Sequence, residues 1–356
     1  MKKHNFYAGP AILPQTVLEQ AAKSVHNFAD MDLSILEISH RSKQFEAVMD
    51  EAARLVHELT GLGDDYAVLF LSGGASSQFF MVPMNLCRDG EKICYVNTGT
   101  WASGAIKEAR LFGNVEVLAS SEDDHFRHIP KGYSIPSDAA YLHLTSNNTI
   151  YGSQFHAWPD CPVSLVCDMS SDIFSRRLDF SKFDLIYAGA QKNMGPAGVT
   201  LVIVKKSLLG RSGRKLPTML DYRTHADKGS MYNTPPVFSI YVSMLTMKWI
   251  VECGGLEAIE KRNEDKAGML YTEIDRNSCF TGTVRPEDRS RMNVVFIPVK
   301  SEFEKPFLES CRAAGCVGLE GHRSVGGFRA SLYNALELSS VEVLVSVMKD
   351  FEAKNG

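Results

Sequence analysis

The chain has no CxxC pair, no block of like charge and no apolar run long enough to span a bilayer. Each absence removes a class of protein. The eight cysteines are scattered, with Cys311 and Cys316 closest and Cys161 and Cys167 next. That spacing argues against a zinc site or a disulfide framework and fits buried thiols in a reducing compartment. A net charge of −4 gives no electrostatic ground for nucleic-acid or membrane-surface binding. The basic start, Met1-Lys2-Lys3-His4, is not followed by a signal-peptide core. A cytoplasmic protein with no metal site is therefore expected. Internal repeats and low-complexity segments are also missing.

What is present is ordinary for a globular enzyme: 44% hydrophobic and 22% charged residues. At 356 residues the chain exceeds what one core usually supports, so two domains are expected. Helical spacing covers Pro14–Ala29, and more strongly Lys43–Thr60, where Phe45, Val48, Met49, Ala52, Val56 and Leu59 share a face and Gly61 stands at the cap. Strands and helices then alternate. Seven short apolar runs read as strands: Ala67–Leu71, Lys92–Val96, Val115–Ala119, Ala140–Leu144, Val163–Cys167, Leu185–Ala188 and Thr200–Val204. Between them lie a helix at Ser76–Leu86, limited or kinked by Pro83, and another at Thr100–Phe112. Apolar strands of this kind are buried on both faces, as in a mostly parallel sheet covered by helices. Two long helices follow, Pro236–Cys253 and Leu256–Asn277. The remainder, Asn293–Val299 strand, Phe303–Ala314 helix, Gly327–Leu332 strand and Ser339–Glu352 helix, reads as a small α+β domain.

The chemistry gathers at strand ends. Lys192 follows the strand Asp184-Leu185-Ile186-Tyr187 and precedes a Gly- and Pro-rich turn; Asp168 ends the run Val163–Cys167. A lysine that forms a Schiff base and an acid that keeps a pyridine nitrogen protonated are the two groups pyridoxal phosphate (PLP) requires. Alone, Lys192 would pass for a surface lysine. Ser72-Gly73-Gly74-Ala75-Ser76 leads from a strand into a helix and offers backbone N–H groups to a phosphate, although most Gly-Gly turns are only turns. Trp101 suits stacking on a flat ring, or core packing. Thr149 stands in a polar turn with a hydroxyl that can reach a ring oxygen. Asn233-Thr234-Pro235-Pro236 precedes a helix, where Thr234 would be either a cap or a polar reach toward phosphate. His40-Arg41 and His322-Arg323, with Arg329, offer fork-shaped cations for a doubly anionic substrate; any one alone reads as surface charge.

Taken together, these segments resemble the phosphoserine aminotransferase family, a class V branch of the fold-type I PLP enzymes. The likeness runs nearly end to end through Asn5-Phe6-Tyr7-Ala8-Gly9-Pro10-Ala11, Ser39-His40-Arg41-Ser42, Gly73-Gly74-Ala75-Ser76, Trp101, Asn148-Thr149, Asp168, Gln191-Lys192-Asn193, Asn233-Thr234-Pro235-Pro236, and His322-Arg323 with Arg329. It implies an α/β fold: a large PLP-binding domain (16–255) with a mostly parallel, seven-stranded-type sheet, and a small α+β domain (1–15 with 256–356). It implies that Lys192 forms the Schiff base, Asp168 pairs with the pyridinium, Trp101 stacks and Thr149 contacts the phenolic oxygen. Ala75, Ser76 and Gln191 would hold the phosphate, with Asn233 and Thr234 supplied by the second subunit of a homodimer. Arg329 would take the α-carboxylate, and His40, Arg41, His322 and Arg323 the distal anion. Ser76 stands where some members carry arginine. The implied reaction moves an amino group between glutamate/2-oxoglutarate and O-phosphoserine/3-phosphohydroxypyruvate, with the phosphorylated hydroxythreonine of vitamin B6 synthesis as a further candidate. An alanine–glyoxylate or serine–pyruvate aminotransferase, a cysteine desulfurase, and a non-catalytic binder of the same fold are the competing readings.

Overall fold

A computed structural model describes residues 3–356; Met1 and Lys2, the head of the expected N-terminal segment, lie outside the described residues. In chain order the elements are β1 (His4–Asn5), α1 (Gln15–His26), α2 (Lys43–Thr60), β2 (Tyr66–Leu71), α3 (Gly74–Leu86), β3 (Lys92–Asn97), α4 (Thr100–Ala109), β4 (Asn114–Ser120), β5 (Tyr141–Thr145), β6 (Ser164–Asp168), β7 (Leu185–Gly189) and β8 (Thr200–Lys205). Then come α5 (Tyr222–Asp227), α6 (Val237–Glu252), α7 (Gly255–Arg276), β9 (Phe280–Gly282), β10 (Asn293–Pro298), α8 (Glu304–Ala313), β11 (Cys316–Val317), β12 (Phe328–Ser331) and α9 (Leu338–Asn355).

Seven strands form the main sheet in the order β2-β8-β7-β6-β5-β3-β4. Only β8 runs against its neighbours, pairing antiparallel with both β2 and β7, while β7, β6, β5, β3 and β4 are parallel. Every residue of β5 and β7 is buried, so these strands need apolar side chains on both faces. Burying one such Leu, Ile or Val contributes about 1.5–3 kcal/mol, enough for the two-sided pattern to fix the strands at the sheet centre. One core, with Leu144, Cys167, Ile186 and Ile203, lies under α2 and α6. The other face, with Tyr95, Tyr141, Tyr187 and Val202, packs on α3 and α4.

Local signals explain the helix ends. The Ser42 side chain accepts the Phe45 N–H at 3.3 Å and caps α2, and Gly61 closes it at φ 68°. The α3 helix begins at Gly74, earlier than Ser76, because Gly73 adopts φ 105° and turns the chain into it; Pro83 sits inside α3, which continues to Leu86. A second, three-stranded sheet, β12-β10-β9, carries its own core of Phe280, Phe296, Phe307, Phe328 and Phe351. Phe6 belongs to that core, and β1 pairs with β11, so the N-terminal strand lies with the C-terminal part. Helix α7 serves both units: Ile259 packs in the first core, and Ala267, Leu270 and Ile274 in the other.

Candidate active site

A cavity of about 350 Å³ opens at the C-terminal ends of β5, β6 and β7. Gly74, Ala75 and Ser76 border it from the head of α3, Trp101 from α4, and Thr145, Thr149, Asp168, Gln191 and Lys192 from the strand ends. Ala8, Gly9, His322 and Arg329 close the opposite wall. Parallel strands deliver these side chains to one edge, where loops from both units meet.

Lys192 stands on a turn pressed against α6. A Cβ on Gly195 would lie 2.3 Å from Ser243 Oγ and 3.0 Å from its Cα, so only glycine lets the helix approach. Lys192 Nζ donates to Thr149 Oγ1 at 2.7 Å and lies 5.9 Å from the centroid of the Trp101 ring. Burial lowers its pKa to about 8; Asp168 acts against that fall and Arg329 adds to it. Near pH 8 roughly half of the amine is neutral, which is the nucleophilic form.

Asp168 is buried, and the Ser170 N–H donates to Oδ1 at 2.9 Å. Burial raises its pKa, while the Ser170 hydrogen bonds and the charge of Lys192 lower it. An ionised carboxylate here is stabilised by a cation in the cavity. Below it, Asp172 accepts from Gln154 Nε2 at 3.0 Å and Arg176 Nη2 at 3.4 Å, and Ser146 Oγ bonds both Asp172 and the Asp168 carbonyl. This buried network fixes the strand end that carries Asp168.

The residues fit PLP by features of their own. Side chains leave the first turn of α3 uncapped, and Gly74, Ala75 and Ser76 face the cavity there, so open N–H groups await an anion. Thr145 Oγ1, in register with Asp168, is buried beside the same space without a hydrogen-bond partner among the described residues, as is Arg329 Nε. Lys192, Asp168, Trp101 and Thr149 surround a volume suited to a flat, anionic, carbonyl-bearing ring.

The other expected residues divide. Arg329 Nη1 donates to the Thr149 carbonyl at 3.4 Å, and His322 Nδ1 accepts the Ser324 N–H at 3.2 Å. Arg323 is exposed and does not line the cavity. Neither do His40 and Arg41, before α2, nor the exposed Asn233 and Thr234. Thr234 does not cap α6 either: Pro236 precedes the helix, with no side-chain cap. Phe79, Thr145, Asn147, Ser170 and Ser171 line the cavity without having been singled out from the sequence. Asn147 belongs to the polar turn that carries Thr149, and Phe79 to the helix that follows the Gly-Gly turn.

Comparison with known proteins gives one consistent result. The family model for aminotransferase class-V matches residues 3–344. A phosphoserine aminotransferase of Flavobacterium psychrophilum is 61% identical over 99% of this chain and 100% of its own. The solved phosphoserine aminotransferase of Bacillus circulans subsp. alkalophilus superposes with a TM-score of 0.97 at 48% identity, covering 100% of this chain and 99% of that one. The PLP-bound phosphoserine aminotransferase of Trichomonas vaginalis does so with a TM-score of 0.92 at 36% identity, covering 98% and 100%.

Proposed function

We propose that this chain, which belongs to the class-V aminotransferases and within them to the phosphoserine aminotransferase family, transfers an amino group between glutamate/2-oxoglutarate and O-phosphoserine/3-phosphohydroxypyruvate. The observation that carries this reading is Lys192, its amine brought to a pKa of about 8 in a cavity floored by Asp168. PLP, when bound, supplies a carbonyl carbon that takes up amino groups and a ring that accepts the electron pair left by the substrate's Cα–H bond.

The chain's own residues do the rest. Lys192 would hold the cofactor and, once released, would take the α-proton on Nζ and pass it to the carbon that had been the cofactor's carbonyl, a role its lowered pKa suits. Thr149, whose hydroxyl accepts from the Lys192 amine here, would contact the phenolic oxygen of the ring. Asp168 keeps the ring nitrogen cationic. The head of α3 and Gln191 hold the phosphate, and Trp101 covers the ring face and excludes water. Arg329 orients the substrate by its carboxylate, so that the Cα–H bond faces Lys192.

We read the protein as a homodimer with shared sites. His40, Arg41, Asn233 and Thr234 do not line the cavity of their own chain, and Leu36 and Tyr232 near them are 62% and 44% exposed. A second copy would bring these groups to the site, where His40, Arg41, His322 and Arg323 would receive a γ-carboxylate or a phosphate in turn. The large unit is taken as 16–255 and the small one as 1–15 with 256–356; two cores support the division, with the start of α7, at Ile259, still packed in the first. Among the described residues no single helix is long and apolar enough to cross a membrane, and all eight cysteines are free, in keeping with the cytoplasm.

The test is transfer from glutamate to a panel of phosphorylated and unphosphorylated 2-oxo acids, the vitamin B6 precursor among them. Preference for 3-phosphohydroxypyruvate is expected; preference for glyoxylate or pyruvate would overturn the assignment. Borohydride reduction of the loaded protein should label Lys192, and a label on another lysine would displace it from its role.

A further inference from the structure

Lys192 stands on the turn after β7 of the main sheet, and Arg329 in β12 of the second sheet. The reaction proposed above requires them at a set separation, because the substrate carboxylate rests on one while its Cα–H bond faces the other. Their direct tie is thin: Arg329 Nη1 reaches the Thr149 carbonyl at 3.4 Å. A better-built connection leaves β12 three residues after Arg329. In the buried segment Leu332–Asn334, the Asn334 N–H donates to Asn193 Oδ1 at 3.0 Å, and Asn193 is the residue after Lys192. The Asn193 amide in turn donates to the Ser171 carbonyl at 3.0 Å.

The far side of this segment is held by α7. Asn263 Nδ2 donates to Asn334 Oδ1 at 2.8 Å. Lys266 Nζ donates to the Leu332 carbonyl at 2.7 Å and the Tyr333 carbonyl at 2.8 Å. Lys266 is 1% exposed, and among the described residues no carboxylate forms an ion pair with it. Burial pushes its pKa well below the ordinary lysine range. Two of its N–H groups meet carbonyls here. A buried lysine without a counter-charge is costly, so a fold that keeps one calls for an explanation.

We propose that Lys266 is a positioning residue: with Asn263 it fixes the segment Leu332–Asn334, and through Asn193 it sets the separation of Lys192 from Arg329. The proposal rests on the roles given above to those two residues. It acts on the α-carboxylate and the Cα–H bond, which all amino-acid substrates share, and not on the distal anion.

The test compares wild type, Lys266→Met and Asn193→Ala in two assays. In steady-state kinetics with phosphoserine, glutamate and alanine, corrected for active-site concentration, kcat/KM is expected to fall by the same factor for all three, about ten- to a hundredfold. In the cofactor-free protein, the pH midpoint for acylation of Lys192 is expected to rise from near 8 toward that of an ordinary lysine, as the turn loosens and water enters. Variants that fold yet keep the wild-type midpoint and per-site kinetics overturn the proposal. If Lys266→Met does not fold, Asn193→Ala decides by the same two readouts. A wild-type Lys192 midpoint near 10.5 would instead defeat the reading of the site itself.

Discussion

The protonation state of Lys192 is the property on which the proposed chemistry turns, and it can be measured without cofactor. Burial brings the amine to a pKa of about 8, and the carboxylate of Asp168 keeps it from falling further. At pH 8 about half of Lys192 is neutral, against roughly 0.3% for a lysine of pKa 10.5, so it should acylate some 150-fold faster for equal intrinsic reactivity and access. The assay is brief labelling of the cofactor-free protein between pH 6 and 11, with the Lys192 peptide followed by mass spectrometry. A midpoint near 8 is expected in the wild type, and a lower one in Asp168→Asn, which loses the stabilising charge. The same shift has a stability signature. The unfolded chain holds a proton on this lysine up to about pH 10.4, whereas the folded chain releases it from about 8. Across that window the lysine's contribution to stability rises with pH, and Lys192→Met should lack the rise. A wild-type midpoint near 10.5, or a midpoint that climbs in Asp168→Asn, refutes the electrostatic account.

Asp168→Asn should lower turnover on the order of a hundred- to a thousandfold while leaving the melting temperature nearly unchanged, because a neutral amide cannot support a cationic ring nitrogen; near-normal activity with cofactor bound removes Asp168 from this role. Arg329→Ala should weaken phosphoserine, glutamate and alanine alike, whereas Arg41→Ala or Arg323→Ala should weaken only the two with a distal anion, by about 1.5–3 kcal/mol of binding. Equal losses across all three substrates in steady-state assays would make Arg41 and Arg323 structural. Gly195→Ala forces a methyl into Ser243 and should cost about 1–3 kcal/mol, read from the urea midpoint. An unchanged midpoint means the α6 contact is looser than described.

Much of the architecture was legible because its signals are local. The α2 helix carries a polar cap, an apolar face and a closing glycine, and its bounds are those expected. The central strands show as apolar runs because both faces are covered. The two-residue strands β1 and β11 were not legible: they are too short for a periodicity, and their pairing joins His4 to Cys316. The site was partly legible, since strand-end residues such as Asp168 and Lys192 announce themselves by position. Thr145 did not, because a threonine at the end of an apolar strand looks like any β-branched strand residue; only its orphaned hydroxyl distinguishes it. The network of Asn193, Asn263, Lys266 and Asn334 was invisible for another reason, in that its members lie up to 141 residues apart in the chain.

The strand order has a consequence for how the protein is made. Once β3 and β4 have paired, β5, β6, β7 and β8 can each join the growing edge as it is synthesised. The exception is β2, whose sole sheet partner among the described residues is β8, more than a hundred residues later. At about 5–20 residues per second a nascent chain carries that apolar strand unpaired for on the order of ten seconds. The stretch around Tyr66–Leu71 is thus where a folding chaperone would engage, and where overexpression without one would first show as aggregation.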